Sequence, residues 1–402
     1  MDEAARHIRD LVYEKLDLSR QLSDEEIYDL VELEISRFGK RKALTLKERE
    51  DYRMEIFNSL RKLDVLQELV EDDSVTEIMV NGTQNIFYEQ GGRIYQWNKN
   101  FSSKEKLEDV IQQIVSENNR VVNEASPIVD TRLPNGARVN VVLAPVALEG
   151  PVLSIRKFPT NPITMKGLIE RGSLSTEIAA WLEKLVKAGY NMFISGGTGS
   201  GKTTFLNALA EYIPKEERLV TIEDSAELQI KGIPNLVRLE TRNANQEGAT
   251  AIEIRDLIRT SLRMRPDRVI VGECRGKEAI DMLQAMNTGH DGSLSTGHAN
   301  SCKDMISRLE TMVLMGEVEL PLAAIRAQIA SGIDLLVHLG RLRDKTRKLL
   351  DIVEVVGMEN GEVKLNPIFT FMETGEKAGK IKGEWVKVGE LIHKEKLIGA
   401  GL

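Results

Sequence analysis

The sequence predicts an α/β fold with a largely parallel sheet, preceded by a small α+β domain and an N-terminal helical bundle. Three observations carry this reading. From about residue 164, short apolar runs alternate with helical patterns, as the strands and crossover helices of a parallel sheet do. One of those runs, Met192-Phe193-Ile194, enters a glycine-rich turn and leaves it as the helical stretch Thr204–Ala210. Between about residues 74 and 158 the pattern is that of strands, punctuated at Asn81-Gly82, Gly91-Gly92 and Pro134-Asn135-Gly136.

In chain order, residues 1–65 read as helices. Ile8, Leu11, Val12 and Leu16 share a face, Ser23 with Glu26 and Thr45 with Glu48 have capping-box spacing, and Gly39 marks a stop. Residues 66–158 form the α+β domain. Its strand candidates are Val75–Val80, Ile86–Tyr88, Arg93–Trp97, Pro127–Leu133, Ala137–Leu143 and Val152–Phe158, with a helix over Leu107, Val110, Ile111 and Ile114 opened by Ser102 and Glu105. Pro159-Thr160-Asn161-Pro162 begins a stiff linker over 159–167. The α/β domain follows over 168–402, with strands expected at Asn191–Ile194, Arg218–Ile222, Leu236–Leu239, Arg268–Val271, Ser293–Ser295, Asp334–Val337 and Leu349–Val356. The tail turns β-like again at Pro367–Phe371 and ends in a short helix.

The 402 residues carry a net charge of −8, which disfavours nonspecific nucleic-acid binding, and no specific nucleic-acid partner is expected. The two cysteines, Cys274 and Cys302, make neither a disulfide framework nor a CxxC zinc pair and read as small buried side chains in a reducing compartment. The charged start reads as no signal peptide, and no apolar run approaches the ~20 residues that span a bilayer. The expected location is therefore cytoplasmic, with any membrane association through a partner.

The stretch Gly196-Gly197-Thr198-Gly199-Ser200-Gly201-Lys202-Thr203, with Thr204 behind it, has the spacing G-x-x-x-x-G-K-[ST] of a phosphate loop. Its glycines let the backbone approach an anion, its amides and the helix N-terminus form a nest for phosphate oxygens, Lys202 places a charge on the β/γ-phosphates, and Thr203 suits Mg²⁺. The required second element is a carboxylate at the end of a neighbouring strand. Arg268-Val-Ile-Val271-Gly272-Glu273 supplies it, with Glu273 as base or orienter of water. Gly272 stands where an aspartate is usual, so Mg²⁺ ligation rests on Thr203 and waters, with Glu273 and the acidic group Glu223-Asp224 beyond another strand as candidates. Either of those two adjacent carboxylates suits the metal, and Asp224 equally suits a helix cap. The loop Gly289–Asn300 holds His290 and His298, and His298 is placed to report a γ-phosphate. Arginines complete the set: Arg132, Arg138 and Arg156 in the small domain, and Arg255, Arg259, Arg263 and Arg265 before the Glu273 strand.

These residues resemble the bacterial type II/IV secretion ATPases, nearest to the CpaF-type branch that serves Tad/Flp pili. The resemblance falls on Gly196–Thr203 as Walker A, Thr221–Glu227 as Asp box, Val269–Glu273 as Walker B and Gly289–His298 as His box. Asp130–Asn140 and Arg156-Lys157-Phe158 are similar to the family's arginine motif. It covers roughly residues 65–360, departs from the family at Gly297, and is weaker at both ends. It implies a RecA-like ATPase domain behind a PAS-like α+β domain, ATP and Mg²⁺ held between them, and a homo-hexameric ring. It also implies that Arg132, Arg138 and Arg156 reach the γ-phosphate on closure, and that inner-membrane platform proteins are the partners. A motor for conjugative or type IV transfer of DNA or effectors is the alternative. A guanine switch lacks its [NT]KxD here, and a small-molecule kinase has no use for the arginine-bearing domain.

Overall fold

The computed structural model describes residues 3–16, 20, 22–40, 42–158, 162–242, 250–316 and 320–402. The chain divides into two compact units, Met1–Thr160 and Asn161–Leu402. Residues 159–161, the first three of the expected linker, lie outside the described residues.

The first unit opens with α1 (Glu3–Tyr13), α2 (Asp24–Gly39) and α3 (Leu46–Arg61). Both expected capping boxes are formed: Ser23 accepts from the Glu26 amide while Glu26 accepts from that of Ser23, and Thr45 and Glu48 do the same. Ile8, Val12, Ile27, Val31, Ile35 and Ile56 are fully or almost fully buried between these helices. Then come α4 (Gln67–Glu71), β1 (Val75–Asn81), β2 (Asn85–Gln90), β3 (Arg93–Gln96), α5 (Lys104–Ser116), β4 (Ile128–Arg132), β5 (Arg138–Val142) and β6 (Val152–Arg156). The strands form an antiparallel sheet in the order β3-β2-β1-β6-β5-β4. Every second residue, such as Ile78 and Val80 or Val139 and Val141, joins Leu107, Ile111 and Ile114 of α5 in one core. Two local expectations shift. Ser103, not Ser102, caps α5, its side chain accepting from the Lys106 amide, because the helix begins at Lys104. Asn81 pairs with Asn85, so Gly82, Thr83 and Gln84 connect β1 to β2 in place of a two-residue Asn-Gly turn.

The second unit runs α6 (Met165–Glu170), α7 (Thr176–Lys187), β7 (Met192–Gly196), α8 (Lys202–Ala210), β8 (Leu219–Glu223), β9 (Leu236–Glu240), α9 (Ile254–Ser261), β10 (Arg268–Val271), α10 (Ala279–Asn287), β11 (Leu294–Gly297), α11 (Cys302–Leu314), α12 (Leu322–Gly332), β12 (Leu335–Arg341), β13 (Arg347–Glu359), β14 (Glu362–Lys377), β15 (Lys380–Lys387) and α13 (Glu395–Gly399). The sheet order is β15-β14-β13-β12-β7-β11-β10-β8-β9. Strands β12 to β9 pair in parallel, while β13, β14 and β15 extend the sheet antiparallel from β12. This is the expected α/β class. Both faces are covered, so successive strand residues enter different cores: Ile194 joins Leu206 and Leu209 of α8, while Phe193 joins Met282 of α10 and Met305 of α11. The expected strand Leu349–Val356 lengthens to Arg347–Glu359, and the fragment Pro367–Phe371 is the middle of Glu362–Lys377. Among the described residues no helix is long and apolar enough to cross a membrane.

Candidate nucleotide site

Strand β7 lies inside the parallel sheet, buried along its whole length, and delivers the phosphate loop to the carboxyl edge where ligands of such sheets bind. Asn191 anchors its start. The Asn191 amide donates to Asp334 Oδ2 at 2.7 Å, its Nδ2 to the Gly332 carbonyl at 2.8 Å, and its Oδ1 accepts from the Ser293 amide at 3.0 Å. The loop then needs glycine for stated reasons. A Cβ on Gly196 would lie 2.5 Å from both the Leu339 carbonyl oxygen and Ser200 Oγ, and Gly201 opens α8 at φ +96°. Lys202 is buried, and its Nζ donates to the carbonyls of Gly196 at 3.1 Å and Gly197 at 3.2 Å. Burial pulls its pKa below the usual lysine range, partly countered by Glu273.

Lys202 Nζ also lies 3.3 Å from His298 Nδ1, and His298 Nε2 lies 2.6 Å from Glu273 Oε1. An ammonium only donates, so Nδ1 accepts and Nε2 carries the proton, beside a Glu273 Oε1 that has no hydrogen-bond partner among the described residues. Burial depresses the His298 pKa, which favours this neutral form. The other Glu273 oxygen accepts from Arg275 Nε at 2.9 Å and Nη2 at 2.6 Å, and Arg275 Nη1 lies 3.8 Å from Asp224 Oδ2. The result is one chain of contacts, Lys202–His298–Glu273–Arg275–Asp224, at the carboxyl ends of β8, β10 and β11. Two bonds fix its frame: the Thr296 hydroxyl donates to the Gly272 carbonyl at 2.8 Å, and the Cys274 amide to the Thr296 carbonyl at 2.8 Å.

Glu223 is buried, and its Oε2 accepts from the amides of Glu227 at 2.7 Å and Leu228 at 2.9 Å. Burial pushes its pKa up to about 7. A Cβ on Gly272 would lie 2.9 Å from Glu223 Cγ, so the Glu223 side chain occupies the space an aspartate at 272 would take. Glu223 Oε1 and Ser200 Oγ are buried without a hydrogen-bond partner among the described residues. These orphaned atoms, the Gly196 cradle and half-buried Thr203 in the first turn of α8 fit a phosphate with its hydrated Mg²⁺. Among the described residues no cluster of His, Cys, Asp or Glu makes a metal site by itself.

The remaining candidates separate. Arg132 pairs with Arg138 across β4 and β5, and Arg138 with Arg156 across β5 and β6, so the three form one in-register row in the first unit. Residues directly opposite on neighbouring strands share a face, and Arg138 Nη2 lies 3.6 Å from Asp130 Oδ1 of β4. Arg255 and Arg259 instead donate to Asp281 at 2.9 and 2.8 Å and are committed to α10. His290 contacts the Ala285 carbonyl at 3.2 Å and stays away from the chain around Glu273. Both cysteines are buried, and burial pushes the Cys274 thiol up to about 12. Two neighbours of the site lie outside the expected set: Arg275, signalled in the sequence only by its spacing of two from Glu273, and His338 on β12, whose Nδ1 lies 2.9 Å from Ser195 Oγ just before the phosphate loop.

The profile described as "Type II/IV secretion system protein" matches residues 59–374. A chain named as a conjugal transfer protein in Mycobacterium tuberculosis H37Rv is 33% identical over 306 residues, covering 75% of this chain and 86% of that one. Type IV secretion system protein PtlH of Bordetella pertussis is 32% identical over 319 residues, covering 72% and 93%. The solved structure of the pilus retraction motor PilT with bound ADP shares the fold at a TM-score of 0.54 and 21% identity, over 75% of this chain and 80% of that one.

Proposed function

We infer the function from one premise: the chain belongs to the type II/IV secretion system protein family. Our reading is an ATP-hydrolysing motor, most specifically of the CpaF-type Tad/Flp pilus branch, working as a homo-hexamer on inner-membrane platform proteins from the cytoplasmic side. The observation that carries it is the chain Lys202–His298–Glu273 set against the glycine turn, which puts a phosphate-binding cation, a sensor and a carboxylate in one contact path.

ATP sits on Gly196–Thr204, with Lys202 released from its own loop carbonyls to the β/γ-phosphates. Thr203 would hold Mg²⁺, with Glu223 and Glu273 as the candidate carboxylates, and the ion would supply charge neutralisation on the phosphate oxygens. Glu273 orients water in line with the γ-phosphorus and takes its proton while the bond to the bridging oxygen breaks and ADP leaves with the electron pair. His298 exchanges its Lys202 and Glu273 contacts for the γ-phosphate, and so distinguishes ATP from ADP. In this reading Arg132, Arg138 and Arg156 act on the phosphates during turnover, and loss of the γ-phosphate ends that action and drives the conformational step of the motor.

Replacing Arg138, the middle of the row, with alanine is expected to lower kcat at least tenfold while nucleotide affinity changes less than threefold, because the arginine acts on charge that develops in the transition state. Phosphate release against nucleotide concentration separates the two, and an unchanged kcat removes Arg138 from the site. The ring is tested by sizing the full chain with and without a non-hydrolysable ATP analogue. A six-fold mass with nucleotide is expected, and a monomer in both samples overturns the motor. The relatives' names favour one second reading, a motor of conjugative or type IV transfer. Neighbouring genes for pilins or for a transfer channel discriminate the two.

A further inference from the structure

The hairpin of β12 and β13 brings two arginines to the phosphate loop that no motif contains. Leu339 of β12 pairs with Gly196, the last residue of β7, so the strand runs on past the glycine turn. Arg341 and Arg347 then face each other across the hairpin as a directly opposed pair. Its turn is fixed: the Leu342 amide donates to the Thr346 carbonyl at 2.8 Å, and Asp344 accepts from the Thr346 amide at 2.9 Å, the Thr346 hydroxyl at 2.6 Å and the Ile381 amide of β15 at 2.8 Å.

Arg347 is thereby held against the glycine turn. Its Nε donates to the Gly199 carbonyl at 2.8 Å, and its Cδ lies 3.4 Å from where a Cβ on Gly201 would stand. Among the described residues neither its two terminal nitrogens nor the Arg341 guanidinium has a hydrogen-bond or ion-pair partner. Two opposed guanidinium groups repel unless an anion lies between or beside them. Here Arg347 borders a loop whose amides form a nest for phosphate. A planar fork already anchored through Nε presents its other donors to phosphate oxygens at little further entropic cost.

We propose that Arg347, supplied by the antiparallel C-terminal extension and backed by Arg341, contacts the phosphates of a nucleoside di- or triphosphate seated on the glycine turn. The site then has a wall beyond the parallel sheet, and the extension is tied to nucleotide occupancy. This rests on the reading of the turn as a nucleotide site.

The test is titration of the full chain with fluorescent ADP, for the wild type and for Arg347→Ala, Arg347→Gln, Arg347→Lys and Lys202→Ala, with thermal melts to confirm folding. Arg347→Ala and Arg347→Gln are expected to raise the Kd about tenfold or more, and Arg347→Lys by less, since it keeps the charge and loses the fork. Glutamine retains a donor for the Gly199 carbonyl without a charge. Wild-type affinity in Arg347→Gln therefore makes Arg347 a brace for the loop and overturns the proposal. Wild-type affinity in Arg347→Ala overturns it as well. A wild-type chain that binds no ADP overturns the nucleotide reading itself and this proposal with it, whereas failure confined to the Arg347 variants leaves that reading standing.

Discussion

Replacing Lys202 with alanine is expected to abolish ATP turnover and to weaken ADP binding by about tenfold to a hundredfold, the range of one charge-assisted contact. Two losses combine. The ammonium that compensates the β/γ-phosphates disappears, and His298 loses the donor that fixes Nδ1 as an acceptor at 3.3 Å. The imidazole is then free to turn its proton away from Glu273, so turnover falls further than affinity. The fold tolerates the change, because position 202 is the first residue of α8 and alanine is a good helix former. Fluorescent-ADP titration and a phosphate-release assay on folded protein check it. Affinity and rate at wild-type level would take the glycine turn out of the site.

What the sequence made legible, and what it did not, follows from the range of each interaction. The capping boxes at Ser23 and Thr45, the glycine turn and the strand Arg268–Val271 are local: each is encoded within about ten residues, and each folds as read. The buried strand β8 was equally plain because all five of its residues are buried. The antiparallel extension was only partly legible, because β14 and β15 carry many exposed charged residues and their alternation is weak. Pairing register was not legible at all. Arg132, Arg138 and Arg156 are spread over 25 positions of chain, and only the β4–β5–β6 ladder puts them side by side. The same holds for Arg341 opposite Arg347. Glu223 illustrates a further limit. Its position at a strand end was readable, but its burial against Gly272 and its bonds from the Glu227 and Leu228 amides depend on a neighbouring strand and the following loop. Gly272 was read as a missing aspartate; packed against Glu223, it is the space that lets that carboxylate reach the site.

Glu273→Gln is expected to keep nucleotide affinity within about threefold of wild type and to lower kcat by two orders of magnitude or more, the scale of a lost general base. The geometry explains why the effect is selective. Lys202 and the loop amides, which bind phosphate, do not depend on the charge at 273. The amide keeps one oxygen to accept from Arg275, now 2.6 and 2.9 Å from Oε2. It cannot take a proton from water. ATP therefore binds, the γ-phosphate stays in place, and the ATP-bound state accumulates. Single-turnover kinetics with labelled ATP separate this from a binding defect: bound ATP should persist uncleaved over the time in which wild type completes a cycle. Burst cleavage at the wild-type rate in Glu273→Gln would move the catalytic role to Glu223. That carboxyl, with its pKa pushed up to about 7 and its Oε1 unpaired among the described residues, is able to exchange a proton near neutrality. The double variant Glu223→Gln, Glu273→Gln decides between them, since only a Glu223 base makes its loss deeper than that of Glu273→Gln alone by a further two orders of magnitude.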